Sequence, residues 1–259
     1  MFWQVFNGFG VLFGLKVSCN LPLTHSGVAV RLRRFNLQER TMNKYKAAIF
    51  DLDGTLVDSV ADLADAFNYG LEQFGLPKRT IDELRKMIGD GIRITISRAL
   101  APDRQEFIDR VAEKMREKYA KTCLVQTKPY DGIPEVLAEL AKKEVRLAVL
   151  TNKDQTMAQK IVEHFFPGRF EIIRGTTSID PVKPDPKAGL QIIKDFEIAP
   201  EQTVFIGDSP ADIQTAKACG SYSVGVNWGL RSAEELMQNR ADVIISKPDE
   251  LLGVFGFIK

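Results

Sequence analysis

The sequence predicts an α/β protein with a parallel sheet and a helical domain inserted after the first strand. After Met42, short apolar runs that suit strands alternate with segments of helical periodicity, which is the pattern of a parallel sheet covered by helices. Residues 58–128, between the first two long strands, contain helical patterns and no convincing strand. A single crossover helix needs far fewer residues, so this insert is predicted to form a second, all-helical domain.

The first strand is predicted from AAIF at residues 47–50. The run is continuous rather than alternating, which favours a strand buried on both faces. It ends in Asp51 and Asp53, and side chains two residues apart on an extended chain point the same way. The two carboxylates are therefore expected to share a site, where a cation, a shared proton or the counter-ion of an anionic ligand would offset their repulsion.

The later elements follow from the same two periodicities. Helices of the insert are predicted from apolar residues spaced three, four or seven apart, and Thr80 with Glu83 has the spacing of a capping box. Pro134 is predicted to open the helix that returns the chain to the sheet. The predicted strands are KAAIFD, VRLAVLT, FEIIRG, TVFIGD, SYSVGV and ADVIIS.

The first 41 residues differ in composition from the rest. They contain five Lys or Arg and one Glu, which gives this segment a net charge of +4. Because the formal net charge of the whole chain is +1, the remaining residues carry −3. We interpret residues 1–41 as an unstructured or accessory leader, with a transit peptide as the alternative. The predicted division is then a core of residues 42–57 and 130–259 and a helical cap of residues 58–129.

Composition excludes several function classes. A mildly acidic main body without a basic stripe argues against a nucleic-acid partner. The apolar start of the chain is too short to span a bilayer, so no membrane role is expected. Cys19, Cys123 and Cys219 are far apart, which fits neither a disulfide framework nor a zinc site. Unpaired thiols favour a reducing compartment, and we expect a cytoplasmic monomer or homodimer.

Polar residues follow four of the predicted strands. In open parallel sheets ligands bind outside the carboxyl ends of the strands, so these residues are the candidates for a site. The first strand is followed by Asp51, Asp53 and Thr55, the second by Thr151 and Asn152, the third by Lys183, and the fourth by Asp208 and Asp212. This set of carboxylates, hydroxyls and one lysine suits a phosphate bound together with a metal ion.

The residue types suggest a phosphoryl-transfer chemistry. Mg²⁺ prefers oxygen ligands, and Asp51 with Asp208 forms the natural pair. Mg²⁺ and Lys183 would screen the repulsion between a phosphate ester and an attacking carboxylate, with Thr151 and Asn152 donating to the phosphoryl oxygens. Asp51 could then attack phosphorus to form an aspartyl-phosphate. Asp53 would protonate the leaving alkoxide and later activate water.

The motifs DLDGT, TN, Lys before Pro, and GDSPAD, in this order, resemble the haloacid dehalogenase superfamily of phosphatases. The resemblance covers nearly all of residues 45–252. It implies Asp51 as nucleophile, Asp53 as acid/base with its backbone carbonyl on the metal, and Thr151 and Lys183 on the phosphate. It also implies Asp208 as a metal ligand with Asp212 nearby, a Rossmann-like core, and a helical cap that closes over the site.

The segments IGDGIRITISRAL, DSVADL and VNWGLRSAEEL are similar to phosphoglycolate phosphatase-like members of that superfamily. A small phosphorylated metabolite is therefore the expected substrate, and we favour phosphoglycolate. Arg93, in the GDGIR segment of the cap, offers a planar fork that could pair with the carboxylate of this substrate. An arginine exposed on a helix or paired within the cap is the alternative interpretation.

Other functions stay open on the sequence alone. A phosphosugar mutase would use the same scaffold, and a phosphatase could act on a sugar phosphate, a nucleotide or pyrophosphate. Dehalogenation and phosphonate hydrolysis are disfavoured because Asp53 is present. A binding module that has lost catalysis is disfavoured because the set of charged residues is complete.

Overall fold

The computed structural model describes residues 44–89, 91–177 and 182–257, and the predicted leader lies outside them. The strands are β1 (Ala47–Phe50), β2 (Val57–Asp58), β3 (Lys128–Pro129), β4 (Arg146–Asp154), β5 (Ile172–Thr176), β6 (Thr203–Gly207), β7 (Tyr222–Val226) and β8 (Val243–Ile245). Six of them form a parallel sheet in the order β5-β4-β1-β6-β7-β8. All six predicted strands of the α/β fold are thus confirmed.

Ten helices accompany these strands within the described residues. They are α1 (Val60–Glu72), α2 (Ile81–Met87), α3 (Ile92–Ala99), α4 (Ile108–Thr122), α5 (Ile133–Lys142), α6 (Gln155–Phe165), α7 (Lys187–Asp195), α8 (Pro210–Cys219), α9 (Ala233–Gln238) and α10 (Glu250–Val254). Short 3-10 helices span Pro102–Phe107 and Pro200–Gln202. None of the helices in the described ranges is both long and apolar enough to cross a membrane.

The central strand β1 is buried on both faces, as its continuous apolar run predicts. Ala47 and Ile49 belong to an apolar cluster with α7 and α8, whereas Ala48 and Phe50 belong to a second cluster that includes α5 and α6. All four side chains are fully buried. Alternate residues of β1 therefore hold helices against opposite faces of the sheet.

The predicted helical insertion is confirmed: α1 to α4 lie between β2 and β3. The prediction that no strand occurs near its ends was wrong, because β2 and β3 pair antiparallel, with Val57 opposite Pro129 and Asp58 opposite Lys128. Two residues per strand are too few to produce a periodic signal in the sequence. The pairing brings together the chain segments that enter and leave the insertion. We call the inserted helices, α1 to α4 with their connecting loops, the cap.

The sequence signals at two helix starts are also confirmed. Thr80 Oγ1 accepts a hydrogen bond from the Glu83 N–H, and the Glu83 carboxylate accepts one from the Thr80 N–H, as a capping box requires. Pro134 lies in the first turn of α5. The exact division into leader, core and cap stays a prediction.

A buried aspartate fixes the exit of the cap against its entry. Asp62 in α1 is 1 % exposed, and its carboxylate accepts hydrogen bonds from the backbone N–H groups of Gln126 and Thr127 and from the Thr127 hydroxyl, at 2.8–3.0 Å. These donors lie just before β3. Asp62 therefore links the first cap helix to the segment that returns to the sheet.

We expect Asp62→Ala to lower the free energy of unfolding by about 2–4 kcal/mol, because it leaves the buried N–H and hydroxyl of Thr127 without their acceptor and frees the Gln126 N–H. Urea unfolding and melting temperature would measure the change. Asp65→Ala is the matched control, since Asp65 lies on the same helix, is exposed, and accepts only from the Gln126 side chain. Equal, small losses in the two variants would contradict the anchoring role of Asp62.

Candidate active site

The chain turns sharply after β1, and this turn positions the first carboxylates. The carbonyl of Leu52 accepts hydrogen bonds from the N–H groups of Thr55, Leu56 and Val57, at 2.9–3.3 Å. Gly54 has φ of +86°, a backbone conformation that favours glycine. The extended chain thus ends at Phe50, before the second aspartate of the DLDGT motif.

Three carboxylates and one lysine meet at the carboxyl edge of the sheet. Asp51, Asp208 and Asp212 are all buried, and each offers an oxygen within 4.8 Å of the others. Lys183 Nζ lies 2.8 Å from Asp51 Oδ1 and 2.6 Å from Asp212 Oδ1. The structure thus brings together residues that follow three different strands in the sequence.

Burial raises the pKa of two of these carboxyl groups. The pKa of Asp51 rises to about 6, because burial and the neighbouring Asp212 outweigh the attraction of Lys183. The pKa of Asp208 rises to about 8, because repulsion by Asp51 and Asp212 adds to burial. Burial lowers the pKa of Lys183, but Asp212 and Asp51 more than reverse that effect, so its pKa is raised. One charged lysine therefore does not balance the three carboxylates.

The Asn152 side chain holds the lysine segment in place. Its Oδ1 accepts from the Lys183 N–H at 2.8 Å, and its Nδ2 donates to the Lys183 carbonyl at 3.1 Å. Thr151 is 3 % exposed, and its Oγ1 accepts from the Lys153 N–H at 3.3 Å. That Thr151, Asn152 and Lys183 bind phosphate stays a prediction.

Asp208 is held from two sides. Its Oδ1 accepts from the Thr55 hydroxyl at 3.2 Å, and its Oδ2 accepts from the Leu230 N–H at 2.7 Å. The backbone approaches it closely: a Cβ at Gly54 would lie 2.4 Å from Asp208 Oδ2, and one at Gly229 would lie 2.3 Å from Asp208 Cβ. Only glycine fits at these two positions, because a side chain at either would collide with Asp208.

Asp212 serves both the site and its own helix. Its Oδ2 accepts from the N–H and the hydroxyl of Ser209 at 3.0 and 2.6 Å, within a capping box at the start of α8. Its Oδ1 faces Lys183. Asp212 therefore contributes to the start of α8 and to the carboxylate cluster at the same time.

Asp53 has different partners from Asp51, and that the two share one site stays a prediction. Both of its carboxylate oxygens contact Lys153 Nζ, at 2.8 and 2.6 Å, and Oδ1 accepts from the Ser59 hydroxyl at 2.5 Å. Strand β1 ends at Phe50, so the alternation of side chains along an extended strand does not apply to Asp51 and Asp53. Sequence reasoning missed Lys153, although it directly follows Thr151 and Asn152 at the end of a buried strand.

Backbone carbonyls of the cap accept hydrogen bonds from two core side chains, Asn152 and Arg231. Asn152 Nδ2 donates to the Gly89 carbonyl at 3.2 Å, and the Arg231 guanidinium donates to the carbonyls of Arg85 and Ile88 at 2.9 and 2.6 Å. Arg231 directly follows Leu230, whose N–H holds Asp208. It was also missed from the sequence, because nothing local marks an arginine that donates to a distant helix end.

Arg93, the predicted specificity residue, lies at the start of α3, and its guanidinium pairs with Asp109 at the start of α4. Both side chains are mostly exposed. Asp90 of the GDGIR segment lies outside the described residues. That Arg93 reads the substrate stays a prediction.

The carboxylate cluster fits a hard divalent cation. Its ligand atoms are carboxylate oxygens, which Mg²⁺ prefers. Asp51 Oδ1 is buried and lies 2.8 Å from the Lys183 ammonium. In the part of the chain that the structure describes, no other group of three or more acidic, His or Cys side chains is close enough to share an ion. A cation there would supply the positive charge that Lys183 alone does not provide.

Comparisons with known proteins agree with the fold and identify the family. Residues 48–226 match the family model of haloacid dehalogenase-like hydrolases. The chain is 32% identical over 208 residues to a phosphoglycolate phosphatase of Aquifex aeolicus, across 80% of this chain and 95% of the relative. It is 31% identical over 222 residues to an N-acetylmuramic acid 6-phosphate phosphatase of Pseudomonas aeruginosa, across 82% and 95%. A crystal structure from Lactobacillus delbrueckii subsp. bulgaricus superposes with a TM-score of 0.78 at 34% identity, across 83% of this chain and 100% of that one.

We expect Mg²⁺ to raise the melting temperature more at pH 8 than at pH 5. Because the pKa values of Asp51 and Asp208 are raised to about 6 and 8, their contribution to stability is present below the unfolded pKa and is lost as pH rises through those values. The metal-free protein therefore weakens towards pH 8, where protons compete least with the ion. At a hundredfold excess over Kd, Mg²⁺ should add about 2.7 kcal/mol.

Thermal unfolding in chelator and in Mg²⁺, at both pH values, measures this effect. Asp208→Asn should lose most of the Mg²⁺-dependent shift, whereas Asp195→Asn, at an exposed position on α7, should keep it. A shift that is equal at both pH values, or that persists in Asp208→Asn, would remove the carboxylate cluster as the ion's site.

Proposed function

Since the chain belongs to the haloacid dehalogenase-like hydrolases and is a phosphatase of that family, we propose that it hydrolyses a small phosphomonoester through an aspartyl-phosphate at Asp51, with Mg²⁺ as cofactor. The buried cluster of Asp51, Asp208 and Asp212 around Lys183 is the observation that carries this proposal. A cluster that needs more positive charge suits a site that accepts a cation and a phosphate together.

Asp51 is the nucleophile in this proposal. Its carboxylate attacks phosphorus, and the bond from phosphorus to the leaving oxygen breaks as the new bond forms. Lys183 attracts the phosphoryl oxygens while Thr151 donates to them. Asp51, Asp208 and the Asp53 carbonyl would hold Mg²⁺, which when bound neutralises developing negative charge on the phosphoryl group.

Asp53 is the proposed general acid and base. Its carboxyl group gives a proton to the leaving alkoxide, and its carboxylate then takes a proton from the water that attacks the aspartyl-phosphate. Lys153 and Ser59 hold this side chain from two directions, which limits its rotation. The different lysine partners of Asp51 and Asp53 suit two carboxylates with different tasks.

Phosphoglycolate is the substrate we propose, because a phosphoglycolate phosphatase is similar to this chain over most of its length. An N-acetylmuramic acid 6-phosphate phosphatase is similar at nearly the same identity, so sugar phosphates belong in the test. A phosphosugar mutase would instead need a bisphosphate activator. Steady-state rates over phosphoglycolate, sugar phosphates, nucleotides and pyrophosphate, with and without Mg²⁺, test the proposal directly.

We expect Asp51→Asn to lower kcat by roughly 10⁴-fold or more, because an amide of nearly the same size cannot attack phosphorus. Asp53→Asn should lower kcat by roughly 10²- to 10⁴-fold through loss of proton transfer. Purified variants would be assayed with phosphoglycolate and Mg²⁺, and circular dichroism would check that they fold. Asp195→Asn serves as the exposed control. Near wild-type turnover by Asp51→Asn would sink the proposed mechanism.

A further inference from the structure

Beside Asp53, the cap contributes a buried hydroxyl that has no use in the mechanism so far. Tyr119, in the last turn of α4, is 5 % exposed, and its hydroxyl proton has no acceptor among the described residues. Its ring lies over the Lys153 ammonium, with Nζ 4.7 Å from the ring centroid. Tyr119 of the cap and Lys153 of the core therefore meet next to the proposed acid/base.

The Tyr119 hydroxyl is a donor without an acceptor, whereas Lys153 already donates to the Asp53 carboxylate. Burial raises the pKa of Tyr119, so the hydroxyl keeps its proton. Lysine has only donors, so it cannot accept that proton in a hydrogen bond. A buried donor without an acceptor costs about 1–3 kcal/mol, and such a group in a native structure calls for an explanation. An anion beside the Lys153 ammonium would accept the hydrogen bond that the Tyr119 hydroxyl can donate.

The chemistry of the substrate says which anion reaches this place. As general acid, Asp53 must come within hydrogen-bond distance of the ester oxygen that leaves. In phosphoglycolate, one carbon separates that oxygen from the carboxylate. The groups that contact the Asp53 carboxylate therefore border the substrate's carboxylate as well. Lys153 is such a group, since it contacts both Asp53 oxygens with its side chain 5 % exposed.

We propose that the Tyr119 hydroxyl and the Lys153 ammonium together bind the anionic group on the leaving alcohol of the substrate, beside Asp53. This inference rests on the proposed function and adds the residues that select the substrate class, small phosphate esters with a carboxylate close to the ester oxygen. Because the Tyr119 hydroxyl is sealed from solvent, substrate enters when the cap moves away from the core. Cap closure then delivers the hydroxyl to an anion that Lys153 already attracts.

The test compares phosphoglycolate with ethyl phosphate, which has the same carbon chain and no carboxylate. The readout is the ratio of kcat/KM for the two substrates in the Mg²⁺-loaded enzyme. Tyr119→Phe removes only the hydroxyl and should lower this ratio by roughly 10- to 100-fold, as expected for loss of a hydrogen bond to a charged group. Tyr69→Phe is the matched control: Tyr69 is also a cap tyrosine with a lysine, Lys118, over its ring. Its ratio should stay at the wild-type value.

Stability gives a second, independent readout. Removing an unpaired buried hydroxyl should leave the melting temperature of the free enzyme unchanged or raise it. A hydroxyl with a merely structural hydrogen bond would instead lower it. A fall in melting temperature together with equal rate losses on both substrates would overturn the proposal, since Tyr119 would then only support the cap.

The remaining outcomes also decide the matter. An unchanged ratio in Tyr119→Phe overturns the proposal, and a ratio that falls in Arg93→Ala instead assigns the carboxylate to Arg93. A wild-type enzyme that hydrolyses both esters equally well reads no carboxylate, which overturns this inference and leaves the phosphatase function intact. A wild-type enzyme that hydrolyses no phosphomonoester overturns the proposed function itself.

Discussion

The burial of three carboxylates around one lysine is the constraint on which the rest of the site depends. Asp51, Asp208 and Asp212 lie where water cannot screen their repulsion, and breaking a buried ion pair there costs about 3–5 kcal/mol. The surrounding structure is organised to hold them in spite of this cost. Asn152 fixes the backbone of Lys183, Ser209 and the start of α8 fix Asp212, and the Leu230 N–H fixes Asp208. The remaining imbalance of charge is what makes the cluster suited to a cation and an anionic ester.

The structure separates the two aspartates of the DLDGT motif by giving each its own lysine. Asp51 contacts Lys183 and the other acidic groups, whereas Asp53 contacts Lys153 and Ser59. A nucleophile must be ionised and unobstructed, while an acid/base group must keep a fixed direction towards the leaving oxygen. Two carboxylates in one environment could not easily meet both needs. The turn after Phe50 therefore serves the proposed chemistry, because it gives the two aspartates different partners.

The cap contacts the core in two places. Where the chain enters and leaves the cap, β2 pairs with β3 and Asp62 binds the returning chain. Just after α2, Asn152 and Arg231 donate to the backbone carbonyls of Gly89 and Ile88. Both of these donors are adjacent to residues that shape the carboxylate cluster, because Asn152 binds the Lys183 backbone and Arg231 follows Leu230. The position of the cap and the geometry of the cluster are therefore mechanically connected.

The sequence by itself determined the six strands of the parallel sheet, the helical insertion and the candidate residues of the carboxylate cluster, because periodicity sets which side chains are buried and parallel strands place their ends at one edge. It did not reveal that Lys153 pairs with Asp53 or that Tyr119 covers Lys153. Those contacts depend on β4 lying beside β1 and on where α4 comes to rest, and Lys153 is 100 residues from Asp53. In its own helix, Tyr119 looks like any other apolar packing position. Only the tertiary structure decides which residues meet across such separations, since local periodicity carries no information about the register of distant segments.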